Sequence, residues 1–356
     1  MMDRIELLKE LSEAFGISGY EENVAEIMMK HFGKRVEITR DRIGSVIARK
    51  QGQSERPKIM FSAHMDEIGF MVKQVTKQGF IKFLPIGGWW AGNVPGLKVR
   101  VRTKKGDSIP GIVGLKPIHE LTPEERKKLP EIKDMYIDIG AANGFDPKKK
   151  LNVRPGDPIV PEGSFEKMAN GELLVGKAWD DRVGCALLVS LLDNLGKADH
   201  PNTVYLVGSA QEEVGLRGAR TSAFAIDPDI GFALDVSICR DTPGNDSDAD
   251  EKLGGGVGIL VYDSTMIPHV RLREYVCELA EANKIPYHFA SIRGGYDTGT
   301  IHLTKSGVPC LALGVPTRYV HSGSSVISLA DYDNVLKLIT LIVKSLSAEV
   351  LKKILG

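Results

Sequence analysis

Apolar side chains return every three or four positions near the start of the chain, at Ile5, Leu8, Leu11 and Phe15, and Gly16 ends the series. That period belongs to an amphipathic helix stopped by glycine. A second helix is expected over residues 21–31. Behind Pro57 the pattern becomes a short unbroken apolar run, KIMFSA at 58–63, which reads as a buried strand. From 70 to 160 the runs are short and alternating, as in Leu97-Lys98-Val99-Arg100-Val101-Arg102, with glycine and proline between them. This texture predicts several short strands and turns, hence a small β-rich domain or barrel. One helical piece interrupts it at 122–128, capped by Thr122 with Pro123 at its first helical position.

After Gly163 longer elements resume. Val183, Leu187, Leu188, Leu191 and Leu192 mark the buried side of a helix over 180–195. Strands are expected at 203–210, 230–235 and 308–314, and helices at 272–283 and 331–355. Alternating strands and helices predict an α/β fold, a mostly parallel central sheet flanked by helices. Residues 1–67 and 165–356 would build it as one discontinuous domain, and 68–164 would form an inserted small β-barrel-like domain.

Charge narrows the function classes. Lysine plus arginine equals aspartate plus glutamate, 46 against 46, in a chain of 356 residues. Such balance argues against a binder of nucleic acid or of membrane surfaces. The runs Arg126-Lys127-Lys128 and Lys148-Lys149-Lys150 read as solvated surface. Cys185, Cys239, Cys277 and Cys310 are scattered, with no C-x-x-C pair. They read as free thiols of a reducing compartment. The first helix carries charges throughout and lacks the apolar centre of a signal peptide. No apolar run approaches the roughly 20 residues of a membrane span. The expectation is a soluble, cytoplasmic protein with neither nucleic acid nor membrane as partner.

The chemistry sits just beyond the apolar runs. KIMFSA leads into His64-Met65-Asp66, TVYLVGSA into Gln211-Glu212-Glu213, IGFALD ends on Asp235, and VPCLALG is followed after a short loop by His321. Open α/β sheets bind ligands outside the carboxyl ends of their strands. Asp180 joins from the start of a helix, where the dipole favours its charge. Singly, each signal has an ordinary explanation: a strand-end turn, a solvated Glu pair, a helix cap. Jointly they crowd acids that cannot all stay charged without a cation. Histidine and carboxylate ligands without sulfur suit zinc, cobalt or manganese. Of the adjacent glutamates, one can hold metal while the other handles a proton. Asp66 could accept the second ring N–H of His64 and fix its tautomer.

SAHMDEIGF, AWDDRVG, SAQEEVGLRGA, ALDVS and RYVHS, in that order, resemble the dinuclear-metal aminopeptidases of the glutamyl and deblocking type, some of whose members are labelled endoglucanases. The resemblance spans essentially the whole chain, the insert included. It implies two divalent metal ions per subunit, with His64 and Asp235 on one, Glu213 and His321 on the other, and Asp180 bridging. Glu212 would be the general base for attack of a metal-bridging water on short peptides, and Asp66 would orient His64. It further implies a strained peptide between Asp180 and Asp181, dimers, and a dodecameric tetrahedral shell assembled through the insert. The loop Gly294-Gly295-Tyr296-Asp297-Thr298-Gly299 resembles a cleft-lining segment in which threonine more usually stands at the position of Tyr296, so Gly295, Tyr296 and Asp297 are candidate substrate contacts.

Other features have competing readings. The acidic stretch NDSDADEK at 245–252 is either a solvated loop or a lining that favours basic or amino-terminal charge. Trp89-Trp90 would be an interface if exposed and core if buried. Residues 254–258, GGGVG, lack the third glycine of a dinucleotide fingerprint and read as a flexible loop near substrate. His31, His119, His200, His269 and His288 lack partners at ligand spacing, and His302 reads as packing. A metal-dependent deacylase, an endoglucanase-type glycosidase using Glu212 and Glu213, and a non-catalytic assembly protein are the alternative functions.

Overall fold

The unbroken apolar runs lie side by side. A computed structural model describes residues 3–140, 145–197, 199–245 and 249–356. Within them the strands Thr203–Ser209, Lys58–His64, Ile230–Ile238 and Cys310–Arg318 are consecutive, parallel neighbours at the centre of an eleven-stranded sheet. Strands buried on both faces need no alternation, and these have none. Outside this centre the pairings are antiparallel, except that of Val257–Tyr262 with Tyr287–Ser291, which is parallel. Val46–Gln51 and Glu37–Arg40 extend one side; Ser325–Ser328, Leu173–Gly176 and Glu166–Lys167 extend the other. Val257–Tyr262 also pairs with Cys310–Arg318 and carries Tyr287–Ser291. The fold is therefore mixed α/β, with the parallel pattern at its heart.

Register brings the polar tips together. Ser209 lies beside His64, Ala233 beside Ser62, and Asp235 beside Gly314. The Trp179–Leu195 helix packs on the Lys58–His64 and Ile230–Ile238 strands and is itself covered by Arg4–Glu13 and Leu329–Ser345. It is apolar around most of its circumference, as a helix enclosed in this way must be.

The alternating segment closes into a barrel. Its strands, in barrel order, are Gly69–Val75, Ile81–Ile86, Tyr136–Asp138, Ser108–Gly114, Lys98–Arg102 and Pro158–Pro161, all pairing antiparallel. Phe70, Phe83, Val99, Val101, Ile137 and Ile159 fill it, while Lys98, Arg100 and Arg102 point outward between them. Closure leaves no unpaired edge. The two tryptophans part company. Trp89 stacks on Phe70 at 4.7 Å and donates its indole N–H to the Gly69 carbonyl, whereas Trp90 is 60% exposed. The helical interruption is one turn, Pro123–Arg126, closed by a reciprocal capping box between Thr122 and Glu125.

Three expectations need correcting. The last helix is two, Leu329–Ser345 and Ala348–Leu355. Leu346 leaves helical geometry to stay buried, and the Ser347 side chain caps the new turn by accepting from the Val350 amide. The strand ending in IGFALD continues to Ile238, because Val236, Ser237 and Ile238 still pair with Val315, Pro316 and Thr317. Asp235 is thus inside a strand and not at its tip. The glycine run is not a loop over a cleft: the amides of Gly254 and Gly256 donate to the Asp331 carboxylate at 2.7 and 2.8 Å, and Val257 begins a strand.

No helix among the described residues is long and apolar enough to cross a membrane. All four cysteines are free and buried.

Phe232 is fully buried and stacks on Phe61 at 5.0 Å between central strands. Phe232→Ala should cost about 3–5 kcal/mol by leaving a cavity in rigid surroundings. Denaturant unfolding of the two proteins side by side measures it; a loss under ~1 kcal/mol would show that this stack is not part of the core.

Candidate metal centre

Each candidate residue is delivered by a different local device. His64 is the last residue of its strand. Asp180 precedes the regular part of its helix, where Asp180 and Asp181 have non-helical backbone and the peptide between them is cis. Glu212 and Glu213 lie in the turn after Thr203–Ser209. Gln211 enters that turn in left-handed conformation, and the Glu212 carbonyl accepts from the amides of Gly215 and Leu216. His321 follows Arg318 by three residues, also left-handed at φ 57°.

Six side chains meet here and do not contribute equally. Asp180 lies between the two imidazoles, with Oδ1 2.9 Å from Nε2 of His64 and Oδ2 3.2 Å from Nε2 of His321. Around His64, Asp235 stands at 4.0 Å and Glu212 at 3.9 Å from the same nitrogen. Around His321, Glu213 stands at 3.5 Å. The histidines have their other ring nitrogens engaged: His64 Nδ1 donates to the Asp66 carbonyl at 2.9 Å, and His321 Nδ1 to the Gly88 carbonyl at 2.7 Å. Both Nε2 atoms therefore face the carboxylates as acceptors when the rings are neutral.

Asp66 acts through a different atom from the one anticipated. Its main-chain carbonyl accepts the hydrogen bond from His64 Nδ1, and its carboxylate is 3.6 Å from that nitrogen. The carboxylate instead accepts from the amides of Glu212 and Glu213, at 2.9 and 3.2 Å, and from the Ser18 hydroxyl at 2.5 Å. Asp66 thereby joins the histidine loop to the glutamate turn.

Electrostatics mark the cluster as short of positive charge. Burial opposes a proton on His64, yet Glu212, Asp180, Asp66 and Asp235 raise its pKa well above the ordinary value. Burial likewise works against a charged His321, but Asp180 and Glu213 raise it to about 10. Burial and Asp180 push Glu213 up to about 8 and Asp235 well above the carboxylate range. Burial raises Glu212 too, with Glu213, Asp235 and Asp297 adding to it. Asp180, against its own burial, is held low by the two histidines. Acids forced toward protonation in a shared pocket are what a divalent cation would relieve. One atom makes the point locally: Oε1 of Glu213 is buried without a hydrogen-bond partner among the described residues.

Donor geometry agrees. Oxygen and nitrogen atoms of His64, Asp180 and Glu213 converge within 4.8 Å of one another, as do those of His64, Asp181 and Asp235. Asp181, which the sequence left unassigned, is already occupied: its two oxygens accept from the amides of His64 and Gly184 at 3.0 Å each. It holds the loop; Asp180 and Asp235 remain open toward the pocket.

The cluster forms one end of a cleft of about 950 Å³ whose walls include Ile238, Tyr262, Ile292 and Val320 and whose lining includes Arg240 and Arg293. That volume suits a small ligand or a peptide end. Gly295 and Tyr296 line it. The Tyr296 hydroxyl donates to the Val236 carbonyl at 2.9 Å, beside Asp235. Asp297 does not line it; it is buried and accepts from the hydroxyls of Ser62 and Ser209 at 2.6 and 2.5 Å. Of the acidic stretch, Asp246, Ser247 and Asp248 lie outside the described residues, and Glu251 is 3.4 Å from Arg240.

Two supports escaped the sequence reading. Arg182 is fully buried and donates to the carbonyls of Leu11, Ala14, Gly16 and Met65 and to Glu67, while Lys177 donates to Ala14 and to both Glu67 oxygens. An arginine in AWDDRVG and a glutamate right after HMD were the only signals. From the barrel, Gly87 and Gly88 pass so close that a Cβ would sit 2.8 Å from a Glu213 carboxylate oxygen and 2.9 Å from His321 Nδ1.

Comparison with known proteins gives the family of this fold. A family model described as M42 glutamyl aminopeptidase matches residues 44–338. The chain belongs to the M42 glutamyl aminopeptidase family. It is 40% identical to the FrvX protein of Escherichia coli K12 over 348 residues, 97% of this chain and 96% of that one. The TET aminopeptidase of Thaumarchaeota archaeon SCGC AB-539-E09 superposes with TM-score 0.94 at 40% identity, covering 99% of both chains. The Pyrococcus horikoshii TET1 peptidase, which can assemble into a tetrahedron or a large octahedral shell, superposes with TM-score 0.86 at 32% identity over 97% of this chain and 100% of that one.

Metal uptake here should be proton-linked. His321 is raised to about 10 and Glu213 to about 8, so near neutral pH a cation must displace a proton from each. Divalent-ion affinity should therefore rise with pH up to about 10, more steeply below about 8, with protons released on binding. Chelator-competition titrations at several pH values test this, and a pH-independent affinity would refute it.

Proposed function

We propose that the protein is a dinuclear metalloaminopeptidase that removes amino-terminal residues from short peptides. The observation that carries this reading is Asp180 set between His64 and His321, each histidine having a further carboxylate of its own, Asp235 or Glu213. His64 and Asp235 would hold one divalent ion, Glu213 and His321 the other, and Asp180 both; zinc, cobalt and manganese suit these oxygen and nitrogen donors. When bound, such ions polarise a carbonyl and acidify a water near neutral pH.

The chain's own residues supply the rest. Glu212 reaches the same pocket from beside His64 and is the carboxylate left over once the ligands are assigned. Burial and neighbouring acids raise its pKa, which fits a group that takes a proton from water and returns it to a leaving amine. Asp66 fixes the His64 ring through its carbonyl and the glutamate turn through its carboxylate. Gly295 and Tyr296 would border the substrate, and Asp297 would support the sheet beneath it. Residues 1–67 and 165–356 would form the catalytic domain, and 68–164 an assembly domain. The shell-forming relative and the exposed Trp90 on the barrel side favour self-association through dimers to a dodecamer. The free, buried cysteines suit the cytoplasm.

A glycosidase reading fits less well. It requires two carboxyls facing one bond roughly 5–10 Å apart. Glu212 and Glu213 are consecutive and lean toward different histidines, and the imidazoles would have no task. A metal-dependent deacylase would use the same donors, and only substrates separate it from a peptidase.

A panel of aminoacyl chromogenic amides, acylated amino acids and cellulose oligomers, assayed with zinc, cobalt and manganese, should give turnover of the aminoacyl amides alone. Chelation should abolish it and metal restore it. Glu212→Gln should lower kcat by about 10²- to 10⁴-fold with metal content unchanged. Near-normal turnover in that variant would remove Glu212 from the base role.

Light scattering should find a particle of many subunits in solution. A monomer at micromolar concentration would rule out the shell.

A further inference from the structure

The turn bearing Glu212 is gripped at three successive amides, and two carboxylates do the gripping. Asp66 accepts from the Glu212 and Glu213 amides. The amide of Gln211 donates to Oε1 of Glu21 at 3.0 Å, an oxygen that also accepts from the Gly19 amide at 2.8 Å. Glu21 lies 190 residues away in sequence, at the entrance to the Glu22–Phe32 helix, yet its side chain does not cap that helix. It is 6% exposed.

We propose that Glu21 is a positioning residue for Glu212, acting through the backbone of the turn. This rests on the reading of Glu212 as the base. Gln211 takes φ 59°, a conformation that residues with a Cβ adopt reluctantly, and the direction in which the chain leaves it sets where Glu212 points. A bond to the Gln211 amide opposes relaxation of that strain. Gln211 also accepts from Arg217, its side-chain oxygen from the guanidinium at 3.1 Å and its carbonyl from the amide at 3.3 Å.

The grip belongs to a larger contact. Ser18 donates to Asp66, Glu67 donates its amide to Gly16, and Tyr20 donates its amide to Ile17. The short loop between the two amino-terminal helices thus touches both the histidine loop and the glutamate turn. What the turn needs from Glu21 is a correctly placed oxygen. Charge is dispensable for that, and burial beside Asp66 already pushes this carboxyl up to about 7.

Two variants separate reach from charge. Glu21→Gln keeps the oxygen and removes the charge; Glu21→Asp keeps the charge and withdraws the oxygen by one methylene. In the full chain, Glu21→Gln should match wild type in hydrogen exchange of the Gln211, Glu212 and Glu213 amides and retain kcat within about two-fold, whereas Glu21→Asp should exchange there at least about ten-fold faster and lose about ten-fold in kcat at unchanged KM and metal content. Wild-type behaviour of Glu21→Asp, or equal losses in both variants, would overturn the proposal. If Glu21→Asp does not fold, Glu21→Ala takes its place with the same outcomes, and loss of fold in both overturns it, since the residue would then serve the whole domain. Should wild type hydrolyse no aminoacyl amide, the base reading of Glu212 fails, and the exchange data still decide whether Glu21 holds the turn.

Discussion

Seven carboxylates, Asp66, Asp180, Asp181, Glu212, Glu213, Asp235 and Asp297, are buried or nearly so in and under one sheet edge, and the site is organised by how each is answered. Three are answered by the protein. Asp66 accepts two amides and a hydroxyl and Asp181 two amides, while Asp297, off the cleft lining, accepts two hydroxyls on one oxygen and has no partner for the other among the described residues. These are scaffold: acids whose hydrogen bonds make loops rigid. The other four face the cleft. Among the described residues, Asp180 has only the histidines, Asp235 keeps one oxygen on the Val236 amide and turns the other toward His64, and Glu213 has an oxygen with no donor. A low-dielectric pocket penalises such unanswered charge heavily, so the open four are the ones that call for a cation. Burial runs the same way: Asp66, Asp181 and Asp297 are more deeply buried than Asp180, Glu212, Glu213 and Asp235.

Rigidity comes from a second buried charge system that never touches the cleft. Arg182 follows Asp180 and Asp181 and sends its guanidinium to four carbonyls and Glu67. Removing an ion of this kind from water is costly, and only nearly complete hydrogen bonding offsets it. Arg182 has that, and its acceptors come from the end of the first helix and from the loop after His64. Lys177 is less comfortable: burial lowers it to about 8 even with both Glu67 oxygens at hand. The result is a clamp joining the loop after His64 to the segment bearing Asp180, and it supports the 2.9 Å approach of those two side chains.

Which parts of this were legible in the sequence follows from how local each cause is. KIMFSA and IGFALD announced central strands because burial on both faces is written in consecutive residues. The barrel announced itself by alternation, and the Thr122 turn by a cap followed directly by proline. His64, Asp180, Glu212, Glu213, Asp235 and His321 could be grouped because parallel strands deliver their following residues to one edge. Pairing decided what pattern could not: Asp235 sits mid-strand because its partner strand runs on, and the terminal helix breaks at Leu346 because burying that side chain outweighs one helical turn. Least legible were contacts between distant segments. Glu67 and Lys177 are 110 residues apart, and nothing near either one advertises the other.

Gly87 and Gly88 show what the insert does for the site beyond any role in assembly. They follow the barrel strand Ile81–Ile86, yet the Gly88 carbonyl fixes the His321 tautomer, and the absence of side chains lets the backbone approach both His321 and Glu213. Trp89, the next residue, is locked into the barrel core by its stack on Phe70 and its bond to Gly69. One half of the cluster, Glu213 and His321, is therefore positioned partly by the barrel, and the other half, His64 and Asp235, by adjacent strands of the main sheet. Tyr296 belongs to the second half. Its hydroxyl is spent on the Val236 carbonyl and its ring is 5% exposed, so where a smaller threonine would leave space, this chain backs the Asp235 strand with a fixed aromatic wall. Variation in cleft shape is then to be sought in Ile238, Tyr262, Arg240 and Arg293 along the open side, because the Tyr296 position has been absorbed into the support of the site.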